Sequence, residues 1–336
     1  MAPPLVSVIV PSRNKAAYIG RTLDSVLAQD LQDFEILIYD NGSKDGTQEV
    51  AARYSKKDKR ISFTQNKGDE GLVFSLNSGL KASKGRYIAV LHCDDVWEPN
   101  FLSSSIALLQ ANPSAGISFC RYRNINEQDG PHKVAARNLL DGPSRLVPSE
   151  ELFAHYVRRD FSPVCSILTT REAHEKCGGY DPQYPGPCDY QMWLKIASRM
   201  DGVYNAATTS SYRIYGENDS NAMIDANVIL IEQYSMVLKL FGSFIPPSPA
   251  RERQKRAMLR NTSLSSLRQA LQAIAQNKGG VARSKCGVAV AVYGGLPEHF
   301  AAVGIYFLSL FTPILAPVMR LLIRGGLPML KKTGFY

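Results

Sequence analysis

Apolar and polar positions fall into alternating blocks along the first hundred residues. Residues 5–10 form an apolar, β-branched run broken only by Ser7, the pattern of a strand buried on both faces. Pro11-Ser-Arg-Asn14 interrupts it, and over 16–28 Ile19, Leu23, Val26 and Leu27 recur at helical spacing. A second apolar strand is predicted at 34–39, ending in the dense turn signal Asp40-Asn-Gly-Ser-Lys-Asp-Gly46. A helix through residue 54, a short strand at 61–64, a helix over 72–82 and a strand over 86–91 follow. His92-Cys-Asp-Asp95 closes that strand.

Strands alternating with helices at this spacing predict βαβ units: an α/β fold with a mixed, mostly parallel sheet flanked by helices. Ligands of such sheets bind beyond the carboxyl ends of the strands. The polar clusters 12–14, 40–45 and 94–95 all fall there, which makes them one candidate site. Further along, 124–149 reads as loop, 150–215 as a second helix-and-strand region and 223–241 as a long helix. Residues 244–249 read as a linker, and 251–276 as a basic helix with Leu264, Leu267, Leu271 and Ile274 on one face. The expected organisation is a catalytic domain over 1–222, a basic helical extension over 223–298 and an apolar segment over 299–336.

Charge sharpens that division. Of the 336 residues, 246–336 carry 13 Lys and Arg against 2 Asp and Glu, a net of +11, which leaves the remainder at −2. A near-neutral body with a basic tail points to an acidic surface as the tail's partner. Residues 300–319 form an uncharged run of 20, long enough for a hydrocarbon core, yet Pro313 and Pro317 interrupt it and Arg320, Arg324, Lys331 and Lys332 follow. The expectation is attachment to an anionic membrane, as a peripheral element or a single C-terminal span, with a packed soluble hairpin as the alternative. The basic residues lack aromatic interleaving, which argues against nucleic acid. Six scattered cysteines without a C-x-x-C pair argue against structural zinc and for reduced thiols in a cytosolic compartment. The start lacks a basic n-region and its apolar run is short for a signal peptide.

Acidic residues at three places carry candidate chemistry. Asp94-Asp95 ends a predicted buried strand; two adjacent carboxylates repel, and a Mg²⁺ or Mn²⁺ ion with a diphosphate would relieve them. The bland alternative is a turn that opens a helix. Asp40 stands where a strand gives way to a helix and is expected to face the ligand, with Ser43 and Asp45 serving the turn. Asp189, in Gly186-Pro-Cys-Asp-Tyr-Gln-Met-Trp-Leu194, enters a helix, where it is either a cap or a general base.

In this order the segments resemble the family 2 glycosyltransferases of GT-A fold. The pieces are Val6-Ser-Val-Ile-Val-Pro-Ser-Arg-Asn14, Ile38-Tyr-Asp-Asn-Gly-Ser-Lys-Asp-Gly-Thr47, Asn66, Gly71-Leu72 and Asn77-Ser-Gly79. Then come Lys84-Gly-Arg-Tyr-Ile-Ala-Val-Leu-His-Cys-Asp-Asp95, Gly178-Gly-Tyr-Asp181, Cys188-Asp-Tyr-Gln-Met-Trp-Leu194 and Tyr212-Arg-Ile-Tyr215. Each piece is weak alone; the ordered set, over roughly residues 5–220, is specific.

The resemblance implies an inverting transfer of one sugar from a nucleoside-diphosphate sugar to a hydroxyl on a glycan or lipid-linked acceptor. Cell-surface polysaccharide or glycolipid synthesis at the cytoplasmic face of the membrane is the implied setting. Pro11, Ser12, Asn14, Asp40, Asn66 and Asp94 would bind the nucleotide sugar, with Asp40 on the base. Asp94 and Asp95 would hold ribose and a divalent cation with the diphosphate, and Asp189 would be the base; His92 is a candidate for the same metal or for ribose. Three positions depart from the family pattern: His92 replaces a carboxylate, Cys188 an acid, and Tyr215 a metal- or diphosphate-binding His.

The rivals are a processive synthase, which needs a Q-x-x-R-W signature that neither Trp97 nor Trp193 supplies, and a dehydrogenase, which needs G-x-G-x-x-G after the first strand. A nucleotidyltransferase would need a Gly-rich, Arg-containing loop there. A non-catalytic sugar-nucleotide-binding or scaffold protein on the same fold is the alternative from another class.

Overall fold

The computed structural model describes residues 3–136, 138–158, 162–215, 228–292, 296–310, 312 and 315–317. The chain divides into two compact units, Met1–Gly216 and Glu217–Tyr336.

The first unit is built on one sheet. Its strands are β1 (Val6–Ser12), β2 (Phe34–Asp40), β3 (Ile61–Gln65), β4 (Tyr87–Val90), β5 (Val96–Trp97), β6 (Ala115–Ile125), β7 (Arg145–Val147), β8 (Ile167–Thr170) and β9 (Asp201–Arg213). The order is β3-β2-β1-β4-β8-β6-β9-β5, with β7 beside the first part of β9. β1 pairs in parallel with both β2 and β4, β2 with β3, and β6 with β9, while β8 runs antiparallel between β4 and β6. Order therefore reverses at β1 and β4, and the crevice beyond their carboxyl ends is the switch point where such sheets bind ligands.

Helices α1 (Ile19–Leu27), α2 (Thr47–Lys57), α3 (Leu72–Ala82), α4 (Phe101–Ala111), α5 (Ser149–Arg158), α6 (Arg171–Cys177) and α7 (Cys188–Ala197) flank the sheet. Strand β1 is buried along its whole length because helices cover both of its faces. Its Val6, Val8 and Val10 pack with Ile19, Leu23 and Val26 of α1 and with Ile36 and Ile38 of β2. The expected loop at 124–149 is shorter than its composition suggests: β6 continues to Ile125 and β7 occupies Arg145–Val147. Both pair with β9, a partner that local sequence does not reveal.

The second unit contains α8 (Val228–Lys239), a π turn at Leu240–Phe244, and helices α9 (Pro249–Ala275), α10 (Gly279–Val292) and α11 (Leu296–Leu310). Ser248 caps α9 by accepting the Arg251 N–H at 3.1 Å, so the predicted linker ends in a helix start. Leu267, Ala270 and Ile274 of α9 form a core with Ala282, Cys286 and Ala289 of α10 and with Ala302 and Ile305 of α11. Small residues let these helices approach closely. The Ser263 and Ser266 hydroxyls donate to the carbonyls of Ala289 and Lys285 at 2.9 and 2.7 Å. Among the described residues no helix is long and apolar enough to cross a membrane. The expected residues 223–227 and the basic residues from 320 onward lie outside the described part.

Candidate active site

Two loops at the carboxyl ends of β1 and β2 are stitched into one surface. Asn14, at φ 50°, donates its N–H to Ser43 Oγ (2.8 Å) and accepts the Lys44 N–H on Oδ1 (2.9 Å). The Lys15 N–H reaches Thr47 Oγ1 at 2.8 Å, and the Ala16 N–H reaches Asp45 Oδ2 at 3.0 Å. Gly42 sits at φ 70°, and a Cβ there would stand 3.2 Å from the backbone of Gly68, so the turn requires glycine. Arg13 pairs with Asp69 at 2.8 Å across the same surface.

Asp40 does not face a ligand as expected. It is fully buried, and its oxygens accept from Ser12 Oγ (3.1 Å), the Ser43 N–H (2.9 Å), Ser43 Oγ and Gln48 Nε2 (2.9 Å). Four donors fill the lone-pair sites of a carboxylate, so Asp40 and Ser12 shape the turn. Beside it, Asn41 accepts from Asn66 Nδ2 (2.7 Å) and Ser75 Oγ (3.0 Å) and donates to the Gly71 carbonyl (3.2 Å). Half-buried Asn66 thereby keeps its own Oδ1 without a partner among the described residues and available to a ligand.

The adjacent acids after β4 point in different directions. Asp95 is fully buried and accepts the Arg213 N–H on Oδ1 at 2.9 Å, while its carbonyl accepts Thr22 Oγ1 at 2.9 Å. Burial and the neighbouring Asp94 charge push its carboxyl well above the usual range. Its Oδ2 is buried without a hydrogen-bond partner among the described residues, so Asp95 lies in the core while Asp94 reaches the rim. Asp94 is half-buried, and its Oδ2 accepts the Tyr215 hydroxyl at 2.7 Å. Desolvation and the Asp94 charge raise the Tyr215 phenol, so it stays a donor.

Arg213 anchors this edge, a role the sequence reading did not assign. Its side chain is wholly buried, with Nε on the Asp94 carbonyl (2.7 Å), Nη1 on the Asn126 carbonyl (2.7 Å) and Nη2 paired with Asp129. An Arg at the end of a strand otherwise rich in Ser and Thr was the signal available.

Asp189 opens α7. Desolvation raises its carboxyl, opposed by the charge of His92 and by the Cys188 thiol, which lies 3.7 Å from Oδ1. His92 and Asp189 thus stand within electrostatic reach, although 97 positions separate them. The Nε2 of His92 and the hydroxyl of Tyr180 are buried without partners among the described residues, and the Asp189 charge contributes to raising the Tyr180 phenol after desolvation. Asn77 fixes the loop that carries Tyr180: its Nδ2 donates to the Tyr180 carbonyl (2.8 Å) and its Oδ1 accepts the Tyr180 N–H (2.9 Å).

Among the described residues no group of three His, Cys, Asp or Glu converges as a metal site. A Mg²⁺ or Mn²⁺ ion that fills its shell with phosphate oxygens needs only one or two carboxylates. The free oxygen of Asp94 and the partnerless Nε2 of His92 fit such an ion only as one shared with a bound diphosphate.

The family model described as Glycosyl transferase family 2 matches residues 7–171. The structure of S. aureus TarS 1–349 in complex with UDP-GlcNAc is similar at a TM-score of 0.65 with 15% identity, covering 91% of this chain and 89% of that one. A mannosyltransferase, PcManGT from Pyrobaculum calidifontis in complex with GDP-Man and Mn²⁺, is similar at 0.58 with 17% identity, covering 96% and 86%. These likenesses establish the GT-A fold. The chain spans about three fifths of the length of the first curated relatives it matches. An uncharacterized glycosyltransferase of Haemophilus influenzae is 37% identical over 224 residues, 65% of this chain and 68% of that protein. With that identity over that length, the chain belongs to glycosyl transferase family 2.

Proposed function

We propose that this chain is an inverting glycosyltransferase that moves one sugar from a nucleoside-diphosphate sugar to a hydroxyl acceptor. The observation that carries the reading is the approach of Asp189 to His92, just beyond the carboxyl end of β4. Asp94 faces outward at the end of β4, and Asp189 at the start of α7 stands within electrostatic reach of His92, two residues before Asp94. One acid serves the diphosphate end of a donor and the other the acceptor.

In the transfer, the acceptor oxygen attacks the anomeric carbon as Asp189 takes its proton. The bond to the diphosphate breaks on the opposite face, inverting the centre and releasing a nucleoside diphosphate. Desolvation strengthens Asp189 as a base by raising its carboxyl. A divalent ion bound with the diphosphate would neutralise charge on the leaving group, with Asp94 as its protein oxygen and His92 beside it. Asn66, Pro11 and Asn14 remain the proposed contacts to the nucleoside. TarS, with its UDP-GlcNAc, supports a nucleotide-sugar donor of this kind.

The proposed acceptor is a glycan or lipid-linked hydroxyl at the cytoplasmic face of the cell membrane. An anionic lipid surface is the second partner, supported by the basic second unit and the exposed apolar side of α11. Calorimetric titration with UDP, GDP and dTDP, with and without Mn²⁺, tests the donor site. Heat is expected for at least one base, and silence across all three with folded protein removes the reading.

A further inference from the structure

Lys15 has a surrounding that its position in a loop does not require. Its backbone is fixed: the N–H is held by Thr47 Oγ1 at 2.8 Å, and the carbonyl accepts the N–H groups of Tyr18 and Ile19, each at 3.0 Å. From that anchor its Nζ lies 5.0 Å from the centroid of the Tyr215 ring, the same ring whose hydroxyl is bonded to Asp94. The Tyr18 ring packs against Tyr215 at 5.1 Å. The Tyr215 ring thus has the ammonium over its face and the Asp94 carboxylate at its hydroxyl, which sets both charges on one rim.

Two other cations of these loops and strands are already engaged. Arg13 is paired with Asp69, and Arg213 with Asp129 and two carbonyls. Lys15 has no ion pair among the described residues. Asp94, on the far side of the Tyr215 ring's hydroxyl, accepts that hydroxyl. A half-buried lysine whose ammonium lies over an aromatic face without an ion pair keeps its N–H donors open to a ligand. An anion is what it lacks, and a compact ammonium is a strong point-charge ligand for phosphate. The opposing feature is the thin supply of cation ligands, since Asp95 is turned inward and His92 stands where the family has a carboxylate.

We propose that Lys15 is a direct ligand of the donor's diphosphate, held in place by the Tyr215 ring, so that diphosphate recognition by this chain persists without a divalent ion. The inference rests on the donor-site reading above, and its test separates the two.

The experiment compares affinity for a nucleoside diphosphate with that for its monophosphate, UDP against UMP and likewise for GDP and dTDP, in EDTA and in Mn²⁺. It uses the full chain, Lys15→Met and Lys15→Arg; methionine keeps the stem over the ring and removes the charge. The wild type is expected to prefer the diphosphate by about tenfold or more in EDTA. Lys15→Met should lose most of that preference while its monophosphate affinity stays the same, which serves as the internal check on folding, and Lys15→Arg should restore part of it. A preference retained in Lys15→Met, or one that appears in the wild type only with Mn²⁺, overturns the proposal. Monophosphate binding without any diphosphate preference overturns it too, yet leaves the donor site standing. Absence of binding to every nucleotide removes both.

Discussion

Desolvation raises the Asp189 carboxyl above its ordinary range, and the opposing pulls of His92 and the Cys188 thiol do not reverse that. A general base works only when ionised, so turnover must fall as pH drops through this raised value. The acid limb of the pH–rate profile is therefore expected above the usual carboxylate range. Asp189→Asn keeps the shape and a helix-start acceptor, so it should fold and bind nucleotide as the wild type does. Its kcat should be lower by about 10²–10⁴-fold, the usual contribution of a general base. Near-full turnover in that variant would make Asp189 a cap and place the base elsewhere. Single residues were legible by type and not by direction. Asp94 and Asp95 are equivalent in a sequence, yet the Arg213 N–H, 118 positions away from Asp95, turns one inward and leaves the other at the rim. The same holds for Asp40, whose four donors are brought together only when the β1 and β2 loops meet.

Among elements, β1 to β4 and the helices between them could be read because their apolar runs are continuous and their partners follow in order. β9 could not: it buries Ser, Thr and Asn, including Asn205, Thr208 and Ser210, along a 13-residue strand whose polar groups are satisfied by elements distant in sequence. The loop from Gly178 to Asp181 is legible only as a permissive turn, whereas its structural reason lies on α3. A Cβ at Gly179 would stand 2.6 Å from Asn77 Oδ1, the atom that accepts the Tyr180 N–H. Gly179→Ala must push Asn77 aside, and overpacking of this kind costs about 1–3 kcal/mol. Denaturant unfolding should show that loss. Combined with Asn77→Ala the two effects should fall short of additive, because the alanine removes the atom that clashes. Additivity within about 0.5 kcal/mol would show that the loop does not depend on this clamp.

At the scale of the whole molecule, charge and apolar exposure concentrate in the second unit. Residues 246–336 hold 13 basic and 2 acidic side chains. Within that unit α11 turns Ala302, Ile305 and Ser309 inward and leaves Val303, Tyr306, Leu308 and Leu310 about half exposed. Exposed Lys278, at the turn between α9 and α10, and Arg283, whose Nη1 reaches toward the Ser309 carbonyl at 3.5 Å, lie at the helix end that carries Leu310. An apolar helix face with cations at one end suits the boundary between head groups and acyl chains, where apolar insertion and attraction to anionic lipid add. The uncharged run 300–319 announced this in sequence, but its length suggested a span. In the structure α11 covers Leu296–Leu310 and commits one side to α9 and α10. The full chain should therefore co-sediment with vesicles containing phosphatidylserine and release as salt rises, since screening weakens each cation's share. The double substitution Leu308→Asp and Leu310→Asp changes two exposed positions, so folding should survive while sedimentation falls several-fold. Equal sedimentation of both proteins would assign the attraction to charge alone and remove α11 as the docking face; a wild type that stays in the supernatant at low salt would remove the membrane as a partner.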